Sequence, residues 1–205
     1  FEANMQALHV RSGKPIRLAA PQTFLAQERT HVEEAYAGDV IGIHDRGTLR
    51  VGDTLSADGA LEFGGIPRFS PEHFARVRIG DPLKRKQLDT GLRQLSEEGA
   101  VQVFYQDYGA GPAPMVGAVG QLQFDVLLHR LENEYGVPAR LERMPYAFAR
   151  WVEGPRAEIE RIADGYGRIL VHDSRDRPLI LFDAEWTLRT TLDREKALKF
   201  YDVAP

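Results

Sequence analysis

The chain is 205 residues long, 43% apolar and 27% charged, with a formal net charge of −4 and no cysteine. That length supports one large or two small domains with a real core, and the composition argues against wholesale disorder. The missing cysteines exclude disulfides, thiolate zinc sites and cysteine nucleophiles, and an acidic balance is the opposite of what a free nucleic-acid binder carries. The apolar runs are too short to span a membrane, and Phe1–Val10 lacks the pattern of a signal peptide, so the expected compartment is the cytoplasm.

The first stretch, to about residue 70, is rich in β-branched residues and turn signals. Short strands are predicted at Gln6–Arg11, Ile16–Leu18, Val40–Ile43 and Thr48–Arg50. Turns are predicted at Ser12-Gly13, Asp45-Arg46-Gly47, Gly52-Asp53 and Asp58-Gly59, and the polar segment Gln27–Ala35 reads as a loop. Many short strands at this spacing suggest a barrel. The run Gly64–Pro71, with its two glycines and two prolines, marks a boundary, giving domains 1–70 and 71–205.

Beyond it, His73–Ile79 alternates as a half-buried strand. Asp81 is a candidate N-cap with Pro82 in the first helical position. Leu88, Leu92 and Leu95 repeat at helical spacing, with Leu83 as an early member, and Gly99 fits just past the helix end. A strand at Ala100–Tyr105, a loop at Gly109–Pro114 and a strand at Met115–Val119 follow. A helix over Gln121–Tyr135 and a strand at Val137–Leu141 complete the order β-α-β-β-α-β, the split βαβ of ferredoxin-like domains. Then come a strand at Phe148–Val152, a helix at Pro155–Asp164, strands at Arg168–His172 and Leu179–Phe182, and a helix at Arg194–Tyr201. No internal repeat of fixed period is legible. The fold class is therefore α+β.

Catalytic chemistry is not legible. The six histidines have no metal-ligand spacing. The phosphate cradle G-x-x-x-x-G-K-[ST] is missing, because the one Gly-Lys pair, Gly13-Lys14, is followed by Pro15. Acid pairs such as Glu33-Glu34 and Glu97-Glu98 read as solvated faces or caps. No catalytic, cofactor-binding or metal residue is assigned. Phe104, Tyr105, Phe124, Tyr135 and Trp151 lie on apolar faces and read as core, not as base-stacking aromatics.

Two segments carry a resemblance. Val32–Ile43 (VEEAYAGDVIGI) and Leu49–Leu55 (LRVGDTL) place Gly38-Asp39 and Gly52-Asp53 at two turns, where glycine supplies positive φ and aspartate bonds back to the backbone. Together they resemble the barrel domain of translational GTPases such as elongation factors Tu and G. His73–Ile79, Asp81–Leu88, Gln94–Phe104, Val116–Leu127, Arg130–Tyr135 and Ala149–Val152 resemble the third domain of the peptide chain release factor 3 family. An elongation factor G relative is the alternative, opposed by the lack of an E-P-K entry into that domain.

The resemblance implies a partial elongation-factor-Tu-like β-barrel followed by a ferredoxin-like split βαβ domain with a C-terminal α/β extension. It implies a fragment that docks on the ribosome, touching rRNA and small-subunit proteins, and that works with a GTPase domain outside this chain, where GTP and Mg would bind. Family barrels carry strands ahead of the position of Phe1. The first region is accordingly expected to be partly disordered, or to pair its open strand edges with a second copy. The candidates for RNA phosphate contact are Lys84, Arg85 and Lys86 at a helix start, with Arg76 and Arg78 on one strand face. The competing reading of the trio is a solvated basic turn beside Asp81 and Asp89.

Overall fold

A computed structural model describes residues 1–19, 22–25, 28–45, 47–59, 61, 63, 69–106 and 113–205, with the backbone alone for 23–25 and 28–30. The expected loop at 109–112, most of the expected boundary at 64–68 and the central residue of the Asp45-Arg46-Gly47 turn lie outside the described residues. The chain divides into two units, Phe1–Pro67 and Arg68–Pro205.

In the first unit, β1 (Gln6–His9) is flanked by β2 (Lys14–Arg17) and β5 (Leu55–Ser56) in an antiparallel three-stranded sheet. A single 3-10 turn, Val10–Ser12, closed by Gly13 at φ 65°, reverses the chain between β1 and β2. A separate hairpin pairs β3 (Gln22–Leu25) with β4 (Glu28–His31). This corrects the expected loop at Gln27–Ala35. The polar run gains its strand character from ladder pairing with β3, which local propensity does not encode. The expected strands at Val40–Ile43 and Thr48–Arg50 are not strands either. The first contributes only one bridge, Gln22 to Gly42. Around the second, the Gly47 and Leu49 N–H groups donate to the Asp45 carboxylate and the Arg50 N–H donates to Asp53, so side chains take the place of a neighbouring strand.

The second unit is an eight-stranded antiparallel sheet. Its elements are β6 (His73–Ile79), α1 (Arg85–Glu97), β7 (Gln102–Tyr105), β8 (Met115–Ala118), α2 (Leu122–Asn133) and β9 (Ala139–Arg143). They continue with β10 (Phe148–Glu153), α3 (Arg156–Ala163), β11 (Arg168–Asp173), β12 (Pro178–Phe182), α4 (Glu185–Arg194) and β13 (Lys199–Tyr201). The strand order is β13-β10-β12-β11-β7-β8-β6-β9. Each half is thus a complete split βαβ with its four strands in the same relative order, and the halves join where β7 pairs with β11. The C-terminal extension repeats the topology of the segment before it without repeating its sequence. The expected helix at Arg194–Tyr201 is corrected: the helix is α4, and Lys199–Tyr201 is the edge strand beside β10. The three threonines of α4 masked its periodicity, because β-branched residues are indifferent helix formers, yet Thr187, Leu188 and Thr191 form its buried face.

Alternation along the strands sorts the core into layers. Ala75, Val77, Val103 and Val116 pack under Leu88, Leu92 and Leu95 of α1 and Phe124, Leu127 and Leu131 of α2. In the second half Val152, Ile180 and Phe182 pack under Ile159 and Ile162 of α3 and Leu188 of α4. Gly91 makes the α1–α2 contact possible, since a Cβ there would lie 2.9 Å from Leu131. Leu83, expected in this core, is 87% exposed because it sits in the 3-10 turn Pro82–Lys84 ahead of α1.

The other sheet face carries Phe74, Phe104, Met115, Trp151, Leu179 and Leu181, all buried. β7 and β10 are three strands apart, which on a flat sheet is about 14 Å, but the rings of Phe104 and Trp151 lie 6.5 Å apart. The sheet therefore curls, and the faces of the two halves close on each other while the helices stay outside. Of the aromatics weighed for base stacking, Phe104, Phe124 and Trp151 are buried core residues, and Tyr105 and Tyr135 pack against the α1–α2 core.

Candidate functional site

β6 places its side chains alternately on the two sheet faces. Ala75 and Val77 enter the core under α1 and α2, so Arg76 and Arg78 lie on the opposite face with Phe74. Arg78 is exposed, and its guanidinium donates to Glu142 of β9 at 2.9 Å. Arg76 is half-buried and sits directly opposite Glu142 in the β6–β9 register. Arg140 of β9 is directly opposite Arg78. The sequence reading missed it, because only the register between two segments more than 60 residues apart brings it there.

The basic trio lies on the other side of the sheet, at the entry to α1. Asp81 caps the preceding turn and its carboxylate accepts the Leu83 N–H at 2.9 Å, so this entry already holds an anionic group. The Lys84 ammonium donates to the Gly136 carbonyl at the end of α2. The Arg85 guanidinium pairs with Asp89 one turn on. Lys86 is exposed. The structure therefore separates the five candidates into two groups: Arg76 and Arg78 on the helix-free sheet face, and Lys84, Arg85 and Lys86 at the head of α1.

In the first unit, Gly38 and Gly52 have φ of 101° and 92°, the left-handed region. The Tyr36 N–H donates to Asp39 at 2.8 Å. Asp53 is the centre of a larger cluster: it accepts two bonds from Arg11, at 2.5 and 2.8 Å, one from the Arg50 N–H at 2.8 Å, and contacts His9 Nε2 at 2.8 Å. The Arg11 hydrogen bonds, helped by the Arg50 amide and His9, hold its carboxyl far below the usual carboxylate range, against the opposing effect of burial. The other His9 ring nitrogen contacts Ser12 Oγ at 2.9 Å. This Ser-His-Asp order matches a hydrolase relay, but His9 is only 1% exposed and Asp53 is tied to Arg11, so the arrangement reads as a packed polar node. No sequence signal linked His9 and Arg11 to Asp53, since they lie more than 40 residues away.

Gly13-Lys14 opens strand β2, not a helix, and Pro15 follows in that strand. Among the described residues no group of three or more His, Asp or Glu side chains is arranged to hold a metal ion. A surface cavity of about 470 Å³ is lined by Gln106, Glu160, Asp164 and Arg168. No helix among the described residues is long and apolar enough to cross a membrane.

Two family models match the chain: elongation factor G domain 2 over residues 1–58, and the class II release factor RF3 C-terminal domain over residues 63–192. Peptide chain release factor 3 of Symbiobacterium thermophilum is 50% identical over 98% of the chain, and that of Nostoc punctiforme is 45% identical over all of it. The chain belongs to the peptide chain release factor 3 family. It spans 38% of the length of those relatives. A protein of Thermus thermophilus of known crystal structure is similar over 86% of this chain and 26% of its own, with a TM-score of 0.58 at 18% identity, a likeness of fold. The release factor 3 resemblance and the α+β class with antiparallel sheets are thus established.

Proposed function

We propose that this chain is the ribosome-docking region of a release factor 3 protein, whose full form uses GTP to promote departure of the decoding release factors after termination. The observation that supports this reading is the similarity, over the whole chain, to proteins named peptide chain release factor 3. In this reading GTP and Mg bind a domain outside the chain, and the chain's own residues contribute surface, not catalysis. The ribosome, through rRNA and small-subunit proteins, is the partner, and the GTPase domain is the neighbour that conveys the nucleotide state. Lys84, Arg85, Lys86, Arg76 and Arg78 are the contact candidates, because Lys and Arg side chains suit phosphate oxygens.

Cosedimentation with vacant ribosomes tests it. The wild-type chain is expected to pellet in a salt-sensitive manner, and variants with Lys84, Arg85 and Lys86 changed to Glu are expected to pellet less. A chain that stays in the supernatant at every salt concentration sinks the docking reading. Calorimetry with GTP is expected to give no saturable heat, and a saturable isotherm would overturn the assignment of nucleotide binding to another domain.

A further inference from the structure

The helix-free face of β6 and β9 carries an uneven charge pattern. Arg78 and Arg140 are direct cross-strand partners, and Arg76 is the partner of Glu142. Like charges directly opposite weaken strand pairing, and on these two strands three guanidinium groups share the single carboxylate of Glu142. β9 is the edge of the sheet, so among the described residues no further strand covers its outer side. The one carboxylate, Glu142, binds Arg78 at the surface, with side chains 58% and 53% exposed, where an ion pair is weak and readily exchanged. Arg76 is half-buried near Tyr146, whose phenol is raised by burial and by the Asp183 carboxylate and lowered by the Arg76 charge. The face thus holds one inner and two outer guanidinium groups within one strand pair, in reach of more than one phosphate of an extended backbone.

We propose that Arg76, Arg78 and Arg140 form a contact face for the phosphate backbone of structured RNA, and that Glu142 holds Arg78 in place until a phosphate takes over its bonds. This rests on the reading of the chain as a ribosome-docking region and names the part of it that meets RNA. Guanidinium forks match phosphate oxygens in a bidentate way, and the exchange of Glu142 for phosphate keeps Arg78 paired throughout. The basic trio at the head of α1 lies on the other side of the sheet and is not part of this face.

The test uses the whole chain and a fluorescently labelled RNA hairpin, read by anisotropy across a salt series. The wild type is expected to bind at low salt. Arg78→Gln with Arg140→Gln is expected to weaken binding about tenfold or more and to flatten the salt slope by about two. Arg76→Gln is expected to weaken it less. Glu142→Gln is expected to tighten binding several-fold, a gain that misfolding cannot imitate. No binding by the wild type overturns the proposal, and so does a double variant that keeps wild-type affinity and slope. Ribosome cosedimentation of the same proteins separates the two readings. Loss in the hairpin assay with no ribosome binding by any form keeps the RNA face and removes the docking role. Ribosome binding that the double variant keeps, with a flat hairpin assay, does the reverse.

Discussion

Each of the two units is stabilised internally in a different way. Among the described residues, the buried apolar side chains of the first unit are Ala7, Leu18 and Ala35, small or single. Its long-range ties are polar: the Asp53 cluster joins β1 to the turn ahead of β5, and Phe1 and Ala35 exchange backbone hydrogen bonds. The second unit has three apolar clusters, and its buried charge among the described residues is limited to Asp173, which accepts from Trp151 Nε1, from Arg177 and from two backbone N–H groups. A region with little apolar area to bury depends on charge-assisted hydrogen bonds, which titrate and are directional. A region with a large core depends on packing, which does not titrate.

The comparison can be broken at several points. Phe104→Ala should have the largest effect, about 3–5 kcal/mol of lost stability in chemical denaturation, because Phe104 is fully buried between the two halves of the sheet. Asp53→Ala should cost roughly 1–3 kcal/mol and act on the first unit alone, leaving Arg11 and His9 without their acceptor. Hydrogen exchange resolved by segment would show protection falling in β1, β2 and β5 and holding in β6–β13. Equal loss in both units would erase the distinction.

Acid should act on both units, through one paired carboxylate in each. Asp53 has a folded-state pKa below its unfolded value, so its contribution is complete above the unfolded pKa of about 4 and is lost as pH falls through the folded value. Melting curves of the first unit should therefore drop below about pH 4, and Asp53→Asn should flatten that drop. Asp173 adds a similar dependence in the second unit: burial pushes its carboxyl up, but Arg177, two backbone amides and Trp151 together hold it below the usual range. The smallest effect should be Arg189→Ala, within about 0.5 kcal/mol, because its pairing with Glu185 is an exposed contact one helical turn apart.

The sequence was most readable where periodicity and punctuation agree. Leu88, Leu92 and Leu95 placed α1, and Gly136 at φ 66° marks the end of α2 as expected. It was least readable where partners are distant. β4 is polar throughout and β13 is three residues long, so each exists through the strand beside it. α4 was hidden by its threonines. The topological repeat has no counterpart in residue identity, because a split βαβ asks only for pattern. The charged face was half legible: alternation put Arg76 and Arg78 together, but Arg140 and Glu142 reach it only through the β6–β9 register.

The join between β7 and β11 has a consequence for synthesis. It consists of two register pairs, His172 with Tyr105 and Asp173 with Phe104, whereas each half draws its four strands from one continuous stretch of chain. On a translating ribosome the segment from His73 to Arg143 emerges before the strands of the second half, with all four of its strands and both helices. Until the later strands arrive, Phe74, Phe104 and Met115 have no cover on their concave side. A chain ended at Arg143 is expected to keep helical circular dichroism but to bind a hydrophobic dye strongly, and the whole chain to bind it weakly. The nascent protein would thus pass through a stage in which its stickiest surface faces outward, and the second half acts as an intramolecular chaperone for the first.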